Sequence, residues 1–338
     1  MLRWPFGPNL LEAPGRHIPA NRRRAMVNEF RRIDEDILKI EKKHFIMLWT
    51  MGLLFAVLIL LSKQLLQGGM HPVHIAFSQA IGSALSIWVL NKCALPTLEE
   101  ARRYLGYFAT ASLLGFTVPQ LIALYAMPHT GVGLVTLSFA LPLVVAYTIS
   151  LAIRLEDFNA KRLVFIVLTV FGSVVYVSSH LDLFSFDRSN PWNYLLLLSP
   201  LSIGVANIYR TVKWPKTMVT SHIALLTSVF TVITYAGLLF LPNVESSFEL
   251  FSSPALLTIL VATMVLAGIG QLILFRLQKT TGPVFVGQTG SIVALTGGVL
   301  GFIFFGEPYT AVTLAGSLMI VVGVYRYSQL GMVAKQEG

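Results

Sequence analysis

Two glutamine side chains, Gln120 and Gln271, lie inside long stretches of the sequence that carry no charge. An amide offers both donors and an acceptor, and leaving it unpaired in an apolar environment is costly. The pair therefore suits either the binding of a small polar ligand or hydrogen bonding between neighbouring elements. The same two roles are open to the other candidate ligand-binding residues, which are Gln288, Ser291, Asn207, Trp49, Tyr125 and Tyr147.

Structural roles compete with ligand binding at these positions. Serine and glycine allow helices within a membrane to approach closely, so Ser291 also fits a helix contact. Trp49 and Tyr125 also fit the aromatic belt at a membrane surface. Lys63 is either a charged gate or an ammonium group that snorkels outward from a helix end.

The sequence contains little that indicates catalysis. His71 and His74 are three residues apart and His129 follows in another predicted loop, so a membrane-embedded metalloenzyme is one alternative. However, the chain has no HExxH or GxSxG motif. We therefore predict a protein that is not an enzyme, with no catalytic residues, no metal site and no cofactor.

The elements that carry these residues must lie in a membrane. Of the 338 residues, 55% are hydrophobic and 12% are charged, whereas roughly 25% are charged in an average globular protein. A helix needs about 20 apolar residues to cross a bilayer, and continuous runs favour helices over barrel strands. Runs without any Asp, Glu, Lys or Arg include 104–153, 217–244, 250–275 and 280–306.

Hydropathy predicts an all-α polytopic membrane protein with ten transmembrane helices. With the N-terminus in the cytoplasm, all Lys and Arg except Lys63 and Arg188 lie on the cytoplasmic side. The positive-inside rule then places both termini in the cytoplasm and assigns the basic charge to topology, not to nucleic-acid binding. The predicted spans are 45–66, 73–91, 104–127, 131–153, 162–180, 193–212, 218–241, 254–275, 283–305 and 309–327.

The first 44 residues form a basic tail with ten Lys or Arg and six Asp or Glu. Its apolar residues from Met26 to Ile40 recur at helical spacing, which indicates either an amphipathic helix at the inner membrane surface or a partly disordered tail. At the other end, 329–338 is predicted to be a short cytoplasmic tail.

An internal repeat relates the two halves of the chain at a constant offset of 151 residues. The offset aligns Gln120 with Gln271, Glu156 with Glu307 and Gly172 with Gly323. It divides the chain into five-helix units, 45–180 and 192–328. Because five is odd, the second unit enters the membrane from the opposite side, so the predicted repeats are inverted. Inverted repeats are a construction of secondary transporters.

The sequence resembles the drug/metabolite transporter superfamily, specifically its EamA-type members, over about residues 45–328. The resemblance rests on an apolar span that ends in Glu156 (IRLED) or Glu307 (FFGEP), followed by a span that contains Gly172 or Gly323. It implies that these four residues are structural signatures. Lys63 matches a lysine that members often carry near the outer end of the first helix.

The resemblance implies a secondary transporter that moves a small-molecule substrate by alternating access in the plasma (inner) membrane. An exporter of amino acids or other metabolites is the leading interpretation, and a carrier of nucleotide sugars, nucleosides or cofactors is the alternative. No Asp or Glu lies in the middle of any predicted span, which favours facilitated or exchange transport over proton coupling. The expected partners are the substrate and the lipid bilayer. The sequence is compatible with either a monomer or a dimer.

Overall fold

The computed structural model describes residues 20–178, 190–241, 244, 253–305 and 310–333, and the described chain is helical without any strand. A π-helical turn, Leu113–Thr117, joins α4 to α5. The helices are α1 (Ala20–Gln67), α2 (Pro72–Leu90), α3 (Leu98–Arg103), α4 (Leu105–Ser112), α5 (Val118–Ser138), α6 (Pro142–Ala152), α7 (Ala160–Ser178), α8 (Pro191–Leu195), α9 (Leu198–Val212), α10 (Thr220–Leu238), α11 (Pro254–Thr281), α12 (Pro283–Gly287), α13 (Thr289–Phe305) and α14 (Ala311–Val333).

The chain divides into two units, Met1–His44 and Phe45–Gly338. The first unit contains the beginning of α1, so the backbone of the predicted tail is helical from Ala20 onward. Its placement at a membrane surface stays a prediction, and the second unit contains every residue discussed below.

Seven helical segments are long and apolar enough to cross a membrane. Large apolar side chains on these and other helices are exposed, for example Leu85, Phe171 and Leu318, each more than half exposed. Exposed apolar surface on this scale fits lipid as the solvent, so the structure is that of a multi-pass membrane protein. The seven segments are Lys42–Gln67, Pro72–Leu90, Leu105–Ser138, Pro191–Val212, Thr220–Leu238, Pro254–Thr281 and Ala311–Leu330.

The remaining predicted spans do not correspond to one of these seven segments, because their helices are interrupted or are not among the seven. Predicted span 131–153 covers the end of α5 and the whole of α6, span 162–180 lies on α7, and span 283–305 is split between α12 and α13. The count of ten spans therefore stays a prediction.

Two glycines at the repeat offset adopt the same unusual backbone conformation. Gly131 has φ 78° and ψ 159°, and Gly282 has φ 93° and ψ 179°. Positive φ strongly favours glycine because it has no Cβ. The preceding threonines also match, since Thr130 donates a hydrogen bond to the carbonyl four residues earlier (3.0 Å) and Thr281 does the same (2.8 Å). Both halves thus break the chain at equivalent positions.

The signature glycines pack α7 against α14 in a symmetric way. A Cβ on Gly172 would lie 3.0 Å from the backbone nitrogen of Ile320, and a Cβ on Gly323 would lie 3.0 Å from that of Thr169. Thr169 and Ile320 are themselves 151 residues apart. The repeat offset therefore converts the contact of Gly172 with Ile320 into the contact of Gly323 with Thr169. This reciprocity is that of a local two-fold axis between the two helices.

Candidate functional site

A cavity of about 200 Å³ lies among the helices of the second unit. One water needs only roughly 10 to 15 Å³ of such space, so the cavity has room for a small metabolite. Its wall is drawn from α1, α2, the π-helical turn, α5, α6 and α9 to α13. Most of the lining is apolar, and the polar lining residues are Ser62, Gln79, Ser83, Gln120, Asn207, Arg210, Ser228, Thr231, Gln271 and Thr289.

Gln120 lies on α5 and is part of a chain of hydrogen bonds along one wall of the cavity. Its amide nitrogen donates to Oε1 of Gln79 (2.6 Å), whose own Nε2 donates to the Ser62 hydroxyl (2.9 Å). The hydroxyl of Tyr235 donates to Oε1 of Gln120 (3.2 Å). This network joins α1, α2, α5 and α10 beside the cavity.

Gln271, on α11, lies in the wall between α2 and α10. Its Oε1 accepts hydrogen bonds from the hydroxyls of Ser83 and Ser228, the latter at 3.0 Å, and the side chain is 6% exposed. The two glutamines of the repeat therefore line one cavity, and each also joins neighbouring helices. Hydrogen bonding between helices is therefore present at both positions, and ligand binding by the two glutamines stays a prediction.

Replacing Gln271 with leucine is expected to destabilise the folded protein by about 1 to 3 kcal/mol, because the hydroxyls of Ser83 and Ser228 both lose their shared acceptor while buried. The free energy of unfolding in mixed micelles measures the effect. Gln67→Leu changes an exposed glutamine on α1 and should leave stability unchanged. Equal stability of the two variants would contradict the hydrogen-bonding role.

Asn207 and Arg210 lie one turn apart on α9 and both line the cavity. Arg210 donates from Nη2 to Oδ1 of Asn207, and its guanidinium lies over the rings of Phe116 (5.3 Å) and Phe275 (5.5 Å). The backbone carbonyl of Asn207 accepts from the amide of Gln278. A cation that lines the cavity therefore lies against two aromatic rings, and of these the ring of Phe116 also lines the cavity.

The π-helical turn that supplies Phe116 follows from the sequence that comes after it. Pro119 has no N–H, so the regular hydrogen bond to the carbonyl of Gly115 cannot form. The N–H of Val118 bonds instead to the carbonyl of Leu113, five residues back. Such turns are frequent at functional sites. Here the turn places Gly115 and Phe116 in the cavity wall.

Two interrupted helices meet at the cavity. The α5–α6 interruption contains Phe139, and the α12–α13 interruption precedes Gly290. Both residues line the cavity, and they pack so closely that a Cβ on Gly290 would overlap the carbonyl oxygen of Phe139. The two positions differ by 151, so equivalent points of the repeat touch each other. Contact between i and i+151 is expected on a two-fold axis.

Three other candidate residues are buried near this crossing but do not line the cavity. Gln288 is fully buried between α12 and α13, and Ser291 is fully buried on α13. Tyr147 on α6 is 3% exposed. Among the residues that the structure describes, none offers a hydrogen-bond partner to the amide of Gln288 or to the hydroxyls of Ser291 and Tyr147.

Trp49, Tyr125 and Lys63 also lie outside the cavity wall. Trp49 is half-buried against the core, 6.0 Å from the ring of Phe45. Tyr125 stacks on Trp192 at 6.3 Å. Lys63 is half-buried on α1.

The histidines considered for metal binding belong to the same aromatic cluster as Tyr125. The rings of His71 and His74 are 5.9 Å apart, and His129 stacks on Trp192 at 5.0 Å. Within the described ranges, no group of three or more His, Cys, Asp or Glu is arranged to hold a metal ion.

Glu156 has a packing partner on the neighbouring helix. Its carboxylate lies 3.5 Å from Nη1 of Arg162, and Arg162 donates to the carbonyl of Leu330 at 3.0 Å. Through Arg162, Glu156 therefore links the α6–α7 connection to the end of α14, and its role as a family signature stays a prediction. Glu307 lies outside the described residues.

Arg210, Gln79, Ser83 and Ser228 are among the polar lining residues that the sequence analysis missed. Arg210 was grouped with the topology-setting charges because it falls near the predicted end of span 193–212. The missed signal is its spacing: Asn207 and Arg210 are three residues apart, so they share one helix face. Gln79 and Ser83 likewise share a face of α2 by their spacing of four.

Comparisons with known proteins support the architecture alone. No protein-family model matches the chain, and no curated protein matches its sequence. Among solved structures, 28 chains match. One of them, described only as "Crystal structure of protein", has a TM-score of 0.65 and 15% sequence identity, and the match covers 86% of this chain and 98% of that one. The likeness extends over nearly the whole of the other chain and shows a shared fold.

Proposed function

We infer that this protein is a secondary transporter that moves small metabolites across a membrane by alternating access. The observation that carries the proposal is the cavity at the crossing of the two interrupted helices, where Phe139 meets Gly290 at the repeat offset. Substrate sites of inverted-repeat transporters lie at such repeat interfaces and are built from broken helices. Polar groups inside a shell of exposed apolar side chains fit the same function.

The proposal includes the finer architecture suggested by the sequence. It takes the chain as ten spans in two inverted five-helix units, as an EamA-type member of the drug/metabolite transporter superfamily, with both termini cytoplasmic in the plasma (inner) membrane. The equivalent breaks at Gly131 and Gly282 support the repeat. Gln120, Gln271 and Asn207 supply polar contacts to the substrate, and amino acids or similar metabolites are the leading substrates for export. No Asp or Glu is among the described cavity-lining residues, which supports an uncoupled or exchange mechanism.

Counterflow in proteoliposomes tests the proposal. Thermal-shift screening of the purified full chain against amino acids, amines, nucleosides, vitamins and nucleotide sugars selects ligands, and their labelled forms are then exchanged against internal unlabelled ligand. Ala267→Phe fills a cavity-lining position, whereas Ala109→Phe changes an exposed alanine on α4. We expect saturable exchange that falls at least about tenfold in Ala267→Phe and persists in Ala109→Phe. Flux that does not saturate, or equal flux in the two variants, would contradict the proposal.

A further inference from the structure

Arg210 is a cation at the wall of a membrane-protein cavity. Its side chain is 1% exposed, and arginine is the basic side chain that most persistently carries its positive charge in proteins. Ionisable residues within membrane segments are rare and costly, and they mark ligand or ion pathways more often than packing positions. Arg210 therefore calls for a compensating group.

The residues that the structure describes do not supply a compensating anion. Nε and Nη1 of Arg210 have no hydrogen-bond partner there, and Nη2 bonds to the neutral amide of Asn207. No ion pair to Arg210 is found in the described ranges, and their cavity lining contains no Asp or Glu. The rings of Phe116 and Phe275 compensate only in part, because cation–π contacts are weaker than a buried ion pair.

The local packing leaves space for the guanidinium head. Gly115, on the π-helical turn, lies so close that a Cβ there would be 2.7 Å from Nη1 of Arg210. Glycine at this position lets the guanidinium lie against the backbone while it remains part of the cavity wall. The two donors that lack a described partner are therefore buried beside the cavity and do not belong to a loose surface side chain.

The rest of the lining indicates the shape and charge of the anion. Most of the cavity lining is apolar, with Phe55, Leu58, Leu124 and Val293 among its residues. A single guanidinium balances one negative charge, whereas phosphate binding usually gathers several cations or backbone N–H groups. The geometry favours a small organic monoanion with one carboxylate and an apolar body.

We propose that Arg210 binds the carboxylate of the transported substrate, with Nε and Nη1 as donors and the apolar lining around the rest of the molecule. The assignment rests on the proposed transport function, because it names the substrate class of the same cavity. Gln120 and Gln271 are placed to accept or donate hydrogen bonds to any further polar group of that substrate. The amino acids expected from the sequence share the carboxylate of this class, but they also carry an ammonium group and so are not monoanions at neutral pH.

Thermal stabilisation of the detergent-purified full chain by matched ligand pairs tests this assignment. The probes are phenylacetate and phenylacetamide, 4-methylvalerate and its amide, phenylalanine and phenylalaninamide, and phenyl phosphate, all at one ionic strength. We expect at least one carboxylate to stabilise the protein saturably while its amide does not. Its affinity should fall at least about tenfold in Arg210→Gln and less in Arg210→Lys, and should be unchanged in Arg276→Gln, which removes an exposed arginine of α11.

Several outcomes would overturn the assignment. They are no stabilisation by any carboxylate, equal stabilisation by amide and carboxylate, preference for phenyl phosphate, or unchanged affinity in Arg210→Gln. If Arg210→Gln does not fold, Gly115→Ala takes its place, because it keeps the charge but displaces the guanidinium and should weaken carboxylate binding alone.

Counterflow measurements distinguish a failure of the Arg210 assignment from a failure of the proposed transport function. A carboxylate that binds through Arg210 but is not exchanged supports the site and contradicts transport. A neutral or cationic solute that is exchanged equally by wild type and Arg210→Gln supports transport and overturns the role of Arg210.

Discussion

Replacing Gly290 with alanine is expected to prevent the protein from folding to its native state. The added Cβ would overlap the carbonyl carbon and oxygen of Phe139, and it would lie 2.8 Å from the backbone nitrogen of Ala140. Backbone atoms of an interrupted helix cannot rotate away as a side chain can, so α13 would have to separate from the α5–α6 interruption. Overpacking of a tight contact costs about 1 to 3 kcal/mol when side chains can yield, and we expect more than about 4 kcal/mol here.

The measurement is the yield of monodisperse protein after detergent extraction, followed by the free energy of unfolding for any variant that is recovered. Gly237→Ala is the matched control, because a Cβ at this exposed position on α10 would meet nothing within 4 Å. Alanine is the better helix former, so the control should be unchanged or slightly more stable. Normal yield and stability of Gly290→Ala would show that Phe139 and Gly290 are not in contact.

Substitution of both signature glycines by alanine is expected to reveal their reciprocity. A Cβ on Gly172 would lie 2.7 Å from the Cβ of Met319, and one on Gly323 would overlap the hydroxyl of Thr169. Each substitution should cost about 1 to 3 kcal/mol by forcing α7 and α14 apart. Once the first substitution has separated the helices, the second Cβ has more space. The double variant should therefore lose less free energy of unfolding than the two single variants lose together.

A double-mutant cycle of unfolding free energies measures this coupling, which we expect to be about 0.5 kcal/mol or more. Leu318→Ala removes an apolar side chain that is 57% exposed on α14. Combined with Gly172→Ala, it should be additive, because it does not touch α7's contact surface. Strict additivity of Gly172→Ala with Gly323→Ala would contradict a shared contact between the repeats.

Some polar residues of the cavity wall can be recognised from the sequence alone, and others cannot. Gln120 and Gln271 could be selected from sequence because a polar amide is unusual in an uncharged run, and repeat symmetry selected the same position twice. Their partners could not be selected in this way. Ser83 and Ser228 are 145 residues apart in the sequence, and serine is common in membrane helices, so only the packing of α2, α10 and α11 brings the two hydroxyls to one carbonyl.

Arg210 could be seen in the sequence, but its role there was misinterpreted. Its position near the predicted end of a span made its charge a topology signal, and a count of charges does not report which face of a helix is buried. The π-helical turn and α11 bring the rings of Phe116 and Phe275, which lie 6.2 Å apart, against the guanidinium. The burial of Arg210 follows from these distant contacts, and no feature of 193–212 alone required it.

The sequence by itself determined the helical membrane class and the matching positions of the two halves. Continuous apolar runs leave helices as the way to satisfy the backbone in lipid, and identities at one offset are visible without coordinates. Tertiary structure alone decided where the cavity lies, which polar groups line it and which donors of Arg210 lack a partner in the described part of the chain. These features depend on contacts between residues that are far apart in the chain, so their geometry is fixed only when the helices pack.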